Sequence, residues 1–434
     1  MPGDSTLPSL AFSDERLDNG LRLLMSEDHL VPVVAVNLWY DVGSGREVPG
    51  KTGLAHLFEH MMFQGSANAP KGEHFGAIER VGGTLNASTT LHRTNYFEWA
   101  PSNNLELMLW LEADRMGGLL DALGQETLDN QRDVVKNEKR QVQDNQPYGT
   151  WLPRMQAAVF PDGHPYHHPT IGSMEDLSAA SLQDVQDFFR TYYAPNNAVL
   201  SIVGDADRAQ ARDWVRAYFG GIPPNPAIPA AKDAAIATGF GPSRELVKDR
   251  VPLTRIYAGF RAPDARSRLA DATQMAAAVL AGVEGGASKG SRIYKRLVRE
   301  RRLAQDTVFA FLDLPGSSLC VGWITARPGV ATEDAEAGFY EVLESLAKEP
   351  PTEDEMIRAR AGVERAIVEA HFTPVAGTAD RLSECAITHR DPGWINQTLP
   401  RLLDIGAEEV SAAAAEILAE PNRATVIFEP EEAA

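Results

Sequence analysis

Apolar and polar positions alternate in several short runs of the first half of the chain, which is the pattern of half-buried β-strands. The pair Asn19-Gly20 precedes two such runs and is typical of a two-residue hairpin turn. Elsewhere in this half, apolar positions recur three and four residues apart, as on one face of a helix. The predicted strands are 21–26, 31–43, 84–90, 93–99 and 198–204, and the predicted helices are 52–63, 103–122, 126–145 and 182–192.

The second half shows a comparable alternation. Strands are predicted within 246–260 and at 306–312 and 317–325, with helices at 268–281 and from 332 onward. Near the end of each half, a helix leads into a Pro-Asn turn and a closing strand, at Pro195-Asn196 and Pro421-Asn422. This shared ending indicates a duplication.

A segment rich in proline, glycine and alanine divides the two halves and lacks a periodic apolar face. We predict a first domain at 1–221, a linker at 222–244 and a second domain at 245–434. The order of elements predicts the α+β class, because it fits antiparallel sheets with helices on one face better than strict βαβ alternation.

Composition narrows the function classes. The chain has 434 residues, 44% of them hydrophobic, and a formal net charge of −19, which argues against binding to nucleic acid or anionic membranes. No apolar stretch approaches 18 residues, so a membrane-spanning helix is not expected. The first residues lack the features of a signal peptide, so we expect a cytoplasmic protein, or a periplasmic one if a signal was removed. Cys320 and Cys385 lie in apolar contexts and are expected to be reduced.

The segment His56-Leu57-Phe58-Glu59-His60 carries the clearest chemistry. On a helix, positions i, i+3 and i+4 share one face, so His56, Glu59 and His60 project together. Two imidazoles one turn apart can chelate a metal ion, and the carboxylate beside them can take a proton from water. The order H-x-x-E-H is that of the inverzincins. Two surface histidines on an ordinary amphipathic helix are the alternative.

A third ligand has to come from another element. The segment 127–143 predicts a polar helix with one apolar seam, formed by Leu128, Val134, Val135 and Val142. Glu138 lies beside this seam and is able to point inward. Physical reasoning alone does not select it from the many acidic residues of the chain.

Four segments, in this order and spacing, resemble the pitrilysin or insulinase-type metallopeptidases, especially the branch that contains the mitochondrial processing peptidase and small bacterial relatives. They are GLAHLFEHMMFQG (53–65), GGTLNASTTLHRTNYFEWAP (82–101), LEADRM (111–116) and RDVVKNEKRQ (132–141). The resemblance covers essentially the whole chain. It implies two homologous α+β halves joined into a bowl, zinc held by His56, His60 and Glu138, and Glu59 as the general base.

The resemblance also gives a role to the strand at 82–90. It implies an edge strand beside the zinc whose backbone pairs with an extended peptide, with Asn86 and Ala87 nearest the scissile bond. Two positions depart from the family pattern. His92 stands where the family often has an acid, and Gln131 stands where a second glutamate is common, so an auxiliary proton-transfer role is lost there.

Other polar groups have competing interpretations. Glu112 and Asp114 are candidates for orienting a ligating histidine, but a helix-surface salt bridge with Arg115 is the favoured interpretation. The histidines of the segment 164–169 are flanked by prolines, which indicates a rigid loop rather than a second metal site. These histidines are His164, His167 and His168.

The second half lacks a feature that the resemblance leads one to expect. Complete members of the family carry an arginine and, seven residues later, a tyrosine that bind substrate and stabilise the oxyanion. Here Val298 and Gln305 occupy these positions, and Arg299 is one place out of register. We therefore predict a zinc endopeptidase subunit for unfolded peptides or small polypeptides that works with a homologous partner. The alternatives are a self-sufficient homodimeric processing peptidase, in which Arg299 or Tyr294 substitutes, and a non-catalytic core subunit of a larger complex.

Overall fold

The described residues of the first half form a six-stranded sheet and eight α-helices. The computed structural model describes residues 9–283, 288–372 and 375–431. The strands are β1 (Ser13–Arg16), β2 (Arg22–Glu27), β3 (Val33–Tyr40), β4 (Thr84–Thr89), β5 (Thr94–Pro101) and β6 (Ala198–Gly204). The helices are α1 (Leu54–Met61), α2 (Glu73–Arg80), α3 (Leu105–Gly118), α4 (Gln125–Lys139), α5 (Trp151–Val159), α6 (Met174–Ala179), α7 (Leu182–Tyr192) and α8 (Arg208–Phe219).

The second half builds a five-stranded sheet and six helices from its described residues. The strands are β7 (Ser243–Asp249), β8 (Arg255–Ala262), β9 (Ala304–Leu312), β10 (Ser318–Ala326) and β11 (Arg423–Pro430). The helices are α9 (Arg268–Leu280), α10 (Thr332–Lys348), α11 (Glu353–Phe372), α12 (Val375–Thr388), α13 (Trp394–Leu403) and α14 (Ala407–Ile417). Tyr294–Glu300 adds a π-helical segment.

The two sheets repeat one topology. The first has the order β1-β2-β6-β3-β5-β4, and the second has the order β7-β11-β8-β10-β9. If β1 is set aside, each strand of the first sheet has a counterpart in the second. The predicted α+β class with two similar halves is confirmed. The sheets are mixed rather than purely antiparallel, because β2 pairs with β6, and β7 with β11, in parallel.

Each sheet is covered on both faces, and the second covering helix comes from the other half of the chain. Along β3, Val34, Val36 and Leu38 face one core, while Ala35 and Trp39 face the opposite side, where α12 packs. In the same way, α5 packs against β8 and β11. The helices of each half lie mainly on one face of their own sheet, as predicted. The other face is covered by a helix from the other half, because strands that are apolar on both sides must bury both sides.

The contact of α5 with the second sheet is close. A Cβ atom at Gly259, in β8, would clash with the sulfur of Met155 in α5. Met155 and Val159 share a buried cluster with Tyr257, Val426 and other residues of the second sheet. The two halves are therefore joined by a packed core and not only by their linker.

The segment between α8 and β7 is extended and docked on both halves. The carbonyl oxygen of Pro229 accepts a hydrogen bond from Arg46 of the first half at 2.9 Å, and that of Ala237 accepts one from Arg261 of the second at 2.7 Å. The domain boundaries given above stay a prediction, and 1–8 and 432–434 lie outside the described residues. No helix in the described ranges has the length and apolar character that crossing a bilayer requires.

Most predicted elements are present with ends shifted by a few residues. A hairpin is formed at Asn19-Gly20, but it joins β2 to β1, which was not predicted. The pairing of Arg16 with Arg22 makes its loop longer than the predicted two residues. Helices α2, α5, α6 and α8 were not predicted, since they are short or largely polar. The prediction for 126–145 joined α4 to a π-helical turn at Arg140–Asp144.

Candidate active site

Helix α1 presents the H-x-x-E-H motif at the surface of the first half. Leu54, Leu57, Phe58 and Met61 are buried beneath it, while His56, Glu59 and His60 are only partly buried. The chain enters the helix through Gly53, whose φ of +84° suits glycine. The motif side chains therefore project from a helix whose apolar face is fixed by packing.

A carboxylate holds the N-terminal end of this helix. The side chain of Glu47 accepts hydrogen bonds from the backbone N–H groups of Gly53, at 2.9 Å, and Ala55, at 2.7 Å. Its negative charge is favourable beside the positive end of the helix dipole. Glu47 is in turn 2.8 Å from Nε2 of His168. This arrangement has no local sequence signal and was not predicted.

Helix α4 brings Glu138 to the two histidines. Its Oε1 lies 3.6 Å from Nε2 of His56, and its Oε2 lies 3.3 Å from Nε2 of His60. Ligands about 2.1 Å from a tetrahedral ion are about 3.4 Å apart, so this two-histidine, one-carboxylate set fits zinc. The structure thus brings together the three residues that the family resemblance implies as ligands.

Only part of the seam predicted for α4 is buried. Leu128, Gln131 and Val135 are buried and follow a helical face that leads to Glu138. Val134 and Val142 are 42% and 51% exposed, so their assignment to the seam is wrong. Val134 lies one residue off the face, and Val142 falls in the π-helical turn, where the α-helical spacing no longer applies.

The electrostatics of the ligand set favour metal binding. Burial lowers the pKa of His56 to about 4, which keeps its imidazole neutral at physiological pH. A hydrogen bond from His60 lowers the pKa of Glu138, so its carboxylate is ionised. A neutral imidazole and an ionised carboxylate are the forms that bind a metal ion.

Glu59 has a different environment from that of the ligands. Burial raises the pKa of its carboxyl group, as expected for a group that is poised to accept a proton. The hydroxyl of Thr89, at the end of β4, donates a hydrogen bond to its Oε2 at 2.5 Å. This hydrogen bond opposes the rise in the pKa of Glu59 and fixes the direction of its carboxylate. Thr89 was not predicted as a site residue, although alternation along the strand places it on the same face as Ala87.

Strand β4 is an edge of the first sheet and forms one side of a cleft. The N–H of Thr90 bonds to the carbonyl of Arg93, so the alternating pattern leaves the N–H of Ala87 pointing away from β5. The side-chain oxygen of Asn86 accepts this N–H at 2.8 Å. The cleft has a volume of about 540 Å³ and contains all the predicted site residues together with Gln131. It is lined by His56, Glu59, His60, Phe63, Gln64, Phe75, Asn86, Ala87, Ser88, Thr89, Gln131 and Glu138.

The two family departures lie in different places. Gln131 faces the cleft, and its amide donates to the side chain of Asn130. His92 borders a separate cavity between the halves, where its Nε2 is 3.1 Å from the hydroxyl of Thr388.

Glu112 and Arg115 form a buried pair, not a surface one. Both side chains are at most 2% exposed, and they are in direct contact. The predicted salt bridge with Arg115 is therefore present for Glu112, but its predicted place on the helix surface is wrong. Asp114 bonds instead to Ser66 and Asn68. Helix α3 is enclosed on this side, so its charged face is turned into the protein.

The described residues contain a second His/Glu group, formed by His74, Glu98 and Glu112. His74 Nε2 lies 3.5 Å from Glu98 and 3.7 Å from Glu112. Arg115 already supplies a positive charge to this group, and burial raises the pKa of Glu98 well above its usual range. We interpret the group as a structural network and not as a metal site.

The histidines of the 164–169 segment do not converge. Nε2 of His164 is 3.2 Å from the carbonyl oxygen of Ala234, and Nδ1 of His167 is 2.8 Å from that of Phe160. His168 contacts Glu47, as described above. The interpretation of this segment as a structural loop agrees with these separate contacts.

The arginine and tyrosine positions of the second half hold no comparable groups. Val298 is 7% exposed in the core of that half, and Gln305 is exposed on the edge strand β9. Arg299 is exposed. The segment that contains Arg299 is π-helical, so α-helical spacing does not describe the direction of its side chain.

The fold of two similar halves, with a His/Glu cluster beside an edge strand, is that of a peptidase-like protein. Comparison with known proteins identifies the family. The model of "Insulinase (Peptidase family M16)" matches residues 22–169, and that of "Peptidase M16 inactive domain" matches residues 179–363. The chain belongs to this insulinase-type, or pitrilysin-type, family.

Similar proteins and structures match nearly the whole chain, and one further relative matches about half of it. "Zinc protease PqqE" of Helicobacter pylori is 27% identical over 424 residues, which are 95% of this chain and 92% of that protein. A crystal structure of a protease from Helicobacter pylori superposes with a TM-score of 0.90 at 26% identity and covers 97% of this chain and 100% of that one. "Probable mitochondrial-processing peptidase subunit beta" of Arabidopsis thaliana is 24% identical over 245 residues, which are 56% of this chain and 45% of that protein.

Proposed function

We propose that this chain is the zinc-bearing subunit of an endopeptidase that cleaves unfolded peptides or small polypeptides. The observation that carries the proposal is the convergence of His56, His60 and Glu138, with Glu59 beside them and an unpaired strand edge along the same cleft. Relatives over the whole length of the chain that are named zinc proteases support it.

His56, His60 and Glu138 would hold the ion. When bound, zinc polarises a carbonyl group and lowers the pKa of water. Glu59 takes a proton from the attacking water and passes it to the leaving amine. Thr89 keeps the carboxylate of Glu59 directed into the cleft. The other titratable groups of the cleft would hold the ion, and Gln131 carries no titratable group, so the proton carrier is Glu59.

The substrate binds in extended form along β4. Ala87 offers an N–H group that only the neighbouring Asn86 side chain now satisfies, and a peptide can replace that contact. Because such pairing uses main-chain atoms, it tolerates many substrate sequences.

A homologous partner completes the enzyme. Val298 and Gln305 provide neither a cation nor a phenol, so a second chain supplies the arginine and tyrosine that bind the developing oxyanion. The loss of one oxyanion donor lowers a rate by about a hundredfold or more. A self-sufficient homodimer is the second candidate, and the non-catalytic core subunit is disfavoured by the intact ligand set.

Hydrolysis of a quenched peptide by the purified, zinc-loaded chain tests the proposal, before and after addition of a homologue that carries the arginine and tyrosine. We expect weak activity alone and activation of a hundredfold or so that is lost when the partner's tyrosine is changed to phenylalanine. Full activity of the lone chain would support the homodimer. The absence of turnover in every mixture, with zinc bound, would contradict the peptidase assignment.

A further inference from the structure

The outer face of the first sheet is completed by α12, which belongs in sequence to the second half. Ala379 of this helix packs against Ala35 and Val203, and Leu382 packs against Leu24 and Trp39. The opposite face of the same sheet carries α1 with its metal motif. The second half thus contacts the sheet directly behind the candidate active site.

One side chain of α12 makes a concentrated polar contact with this sheet. Oδ1 of Asp380 accepts hydrogen bonds from Asn37 at 3.0 Å, from Trp39 Nε1 at 3.0 Å and from Asn95 at 2.9 Å. Asn37 and Asn95 are each 1% exposed, so their amides have few other partners available. Three donors therefore converge on one carboxylate oxygen of the second half.

Asn95 transmits this contact to β4. Its Oδ1 accepts a hydrogen bond from the hydroxyl of Ser88 at 2.7 Å, and the two residues are paired across β4 and β5. Arg93 reinforces the pair, since it donates to the carbonyl of Ser88 at 2.8 Å and to Asn95 at 2.9 Å.

The next residue of β4 is Thr89, whose side chain points to the opposite face and reaches Glu59. A second threonine, Thr94, lies 3.4 Å from the Thr89 hydroxyl and donates to the carbonyl of Val42 at 2.9 Å. The end of β4 is therefore held from both faces of the sheet, and the contact from behind originates in the second half.

We infer that Asp380 is a positioning residue for Glu59, acting through Asn95, Ser88 and Thr89. This inference rests on the proposed function only for its kinetic consequence. When the Asp380 acceptor is removed, the end of β4 is released, and the Thr89 hydroxyl no longer fixes the carboxylate of the base. The half without a metal motif thereby contributes to the geometry of the reaction.

The experiment compares Asp380→Ala with the control Ser383→Ala. Ser383 is on the same helix, and its hydroxyl is 2.6 Å from that of Ser201 in β6, so the control removes one buried contact between helix and sheet away from β4. At saturating peptide we expect Asp380→Ala to lower kcat about tenfold or more at unchanged zinc content, because misplacement of a catalytic group by about 1 Å can cost a hundredfold. Asp380→Asn keeps an acceptor oxygen and should restore part of kcat, while Ser383→Ala should keep it within about twofold.

A double-mutant cycle separates positioning from general destabilisation. In a Thr89→Val background, Asp380→Ala should change kcat less than about twofold, because the link to Glu59 is already broken. An equal loss in both backgrounds, or no loss in either, overturns the inference.

Hydrogen exchange of the amides of β4 gives a readout that needs no activity. Exchange should be faster in Asp380→Ala than in the wild type and should be unchanged in Ser383→Ala. If the chain proves to have no peptidase activity, this comparison still decides whether Asp380 holds β4, and unchanged exchange contradicts the inference. If Asp380→Ala does not fold, Asp380→Asn serves in both measurements.

Discussion

Replacement of Glu59 by glutamine separates chemistry from structure, because the two side chains have nearly the same shape. The amide oxygen can still accept the hydroxyl of Thr89, which is 2.5 Å from the carboxylate, so the side chain should stay in place. An amide cannot take a proton from water, and a positioned general base contributes about 10²–10⁴-fold to a rate. We expect kcat to fall by about this factor while the zinc content stays unchanged.

The same substitution should stabilise the zinc-free protein at high pH. Burial raises the pKa of Glu59, which means that the folded state disfavours the ionised carboxylate. The charge therefore costs stability above the folded-state pKa, and this cost disappears below the pKa of an unfolded glutamate, about 4.3. Urea unfolding of Glu59→Gln should show a higher midpoint than the wild type at pH 8, and the difference should vanish near pH 4.

The assay combines peptide hydrolysis, metal analysis and urea unfolding on the same preparations. Glu138→Gln is the contrast, because it removes a ligand and should lower both turnover and zinc retention. Near-normal turnover of Glu59→Gln with zinc bound would refute its role as the base. A lower unfolding midpoint of Glu59→Gln than of the wild type at pH 8 would refute the argument that burial makes the ionised carboxylate of Glu59 unfavourable.

Three further predictions follow from the same geometry. One zinc ion should bind per chain and be lost in the His56→Ala/His60→Ala double variant; retention of zinc, measured by metal analysis, would contradict the ligand assignment. Glu112→Gln should lower the free energy of unfolding, measured in urea, by about 3–5 kcal/mol, because it leaves Arg115 buried without its partner charge. A loss under about 1 kcal/mol would contradict the dependence of buried Arg115 on this charge. Ala87→Pro should raise KM for extended peptides several-fold with little change in the unfolding midpoint, since the lost N–H lies outside the ladder; an unchanged KM would argue against strand addition at this edge.

The sequence predicts the motif helix well because its information is local. The spacing of His56, Glu59 and His60 fixes their common face, and the apolar residues between them fix which side is buried. The seam of α4 is only half correct, since an ideal α-helical spacing fails at the π-helical turn after Lys139. Glu138 needed the family resemblance, because many acids could lie on that face.

Contacts between distant segments could not be predicted. Glu47 holds α1 from a turn, and Glu112 looks like a surface residue until the enclosing helices are known. The hydropathy pattern of α5 and α12 does not reveal which sheet they pack on. A helix that covers the sheet of the other half has the same amphipathic pattern as a helix that covers the sheet of its own half.

This exchange has a consequence for the history and engineering of the chain. Helices α5 and α12 occupy equivalent places in the two repeats, so the same helix of each repeat packs on the sheet of the other repeat. Two copies of a single ancestral unit, associated as a reciprocally swapped dimer, would have had this arrangement before a gene fusion joined them. Two half-chains expressed from separate genes, divided within 222–244, should then assemble into the native fold when co-expressed. Either half alone would expose the apolar outer face of its sheet and aggregate.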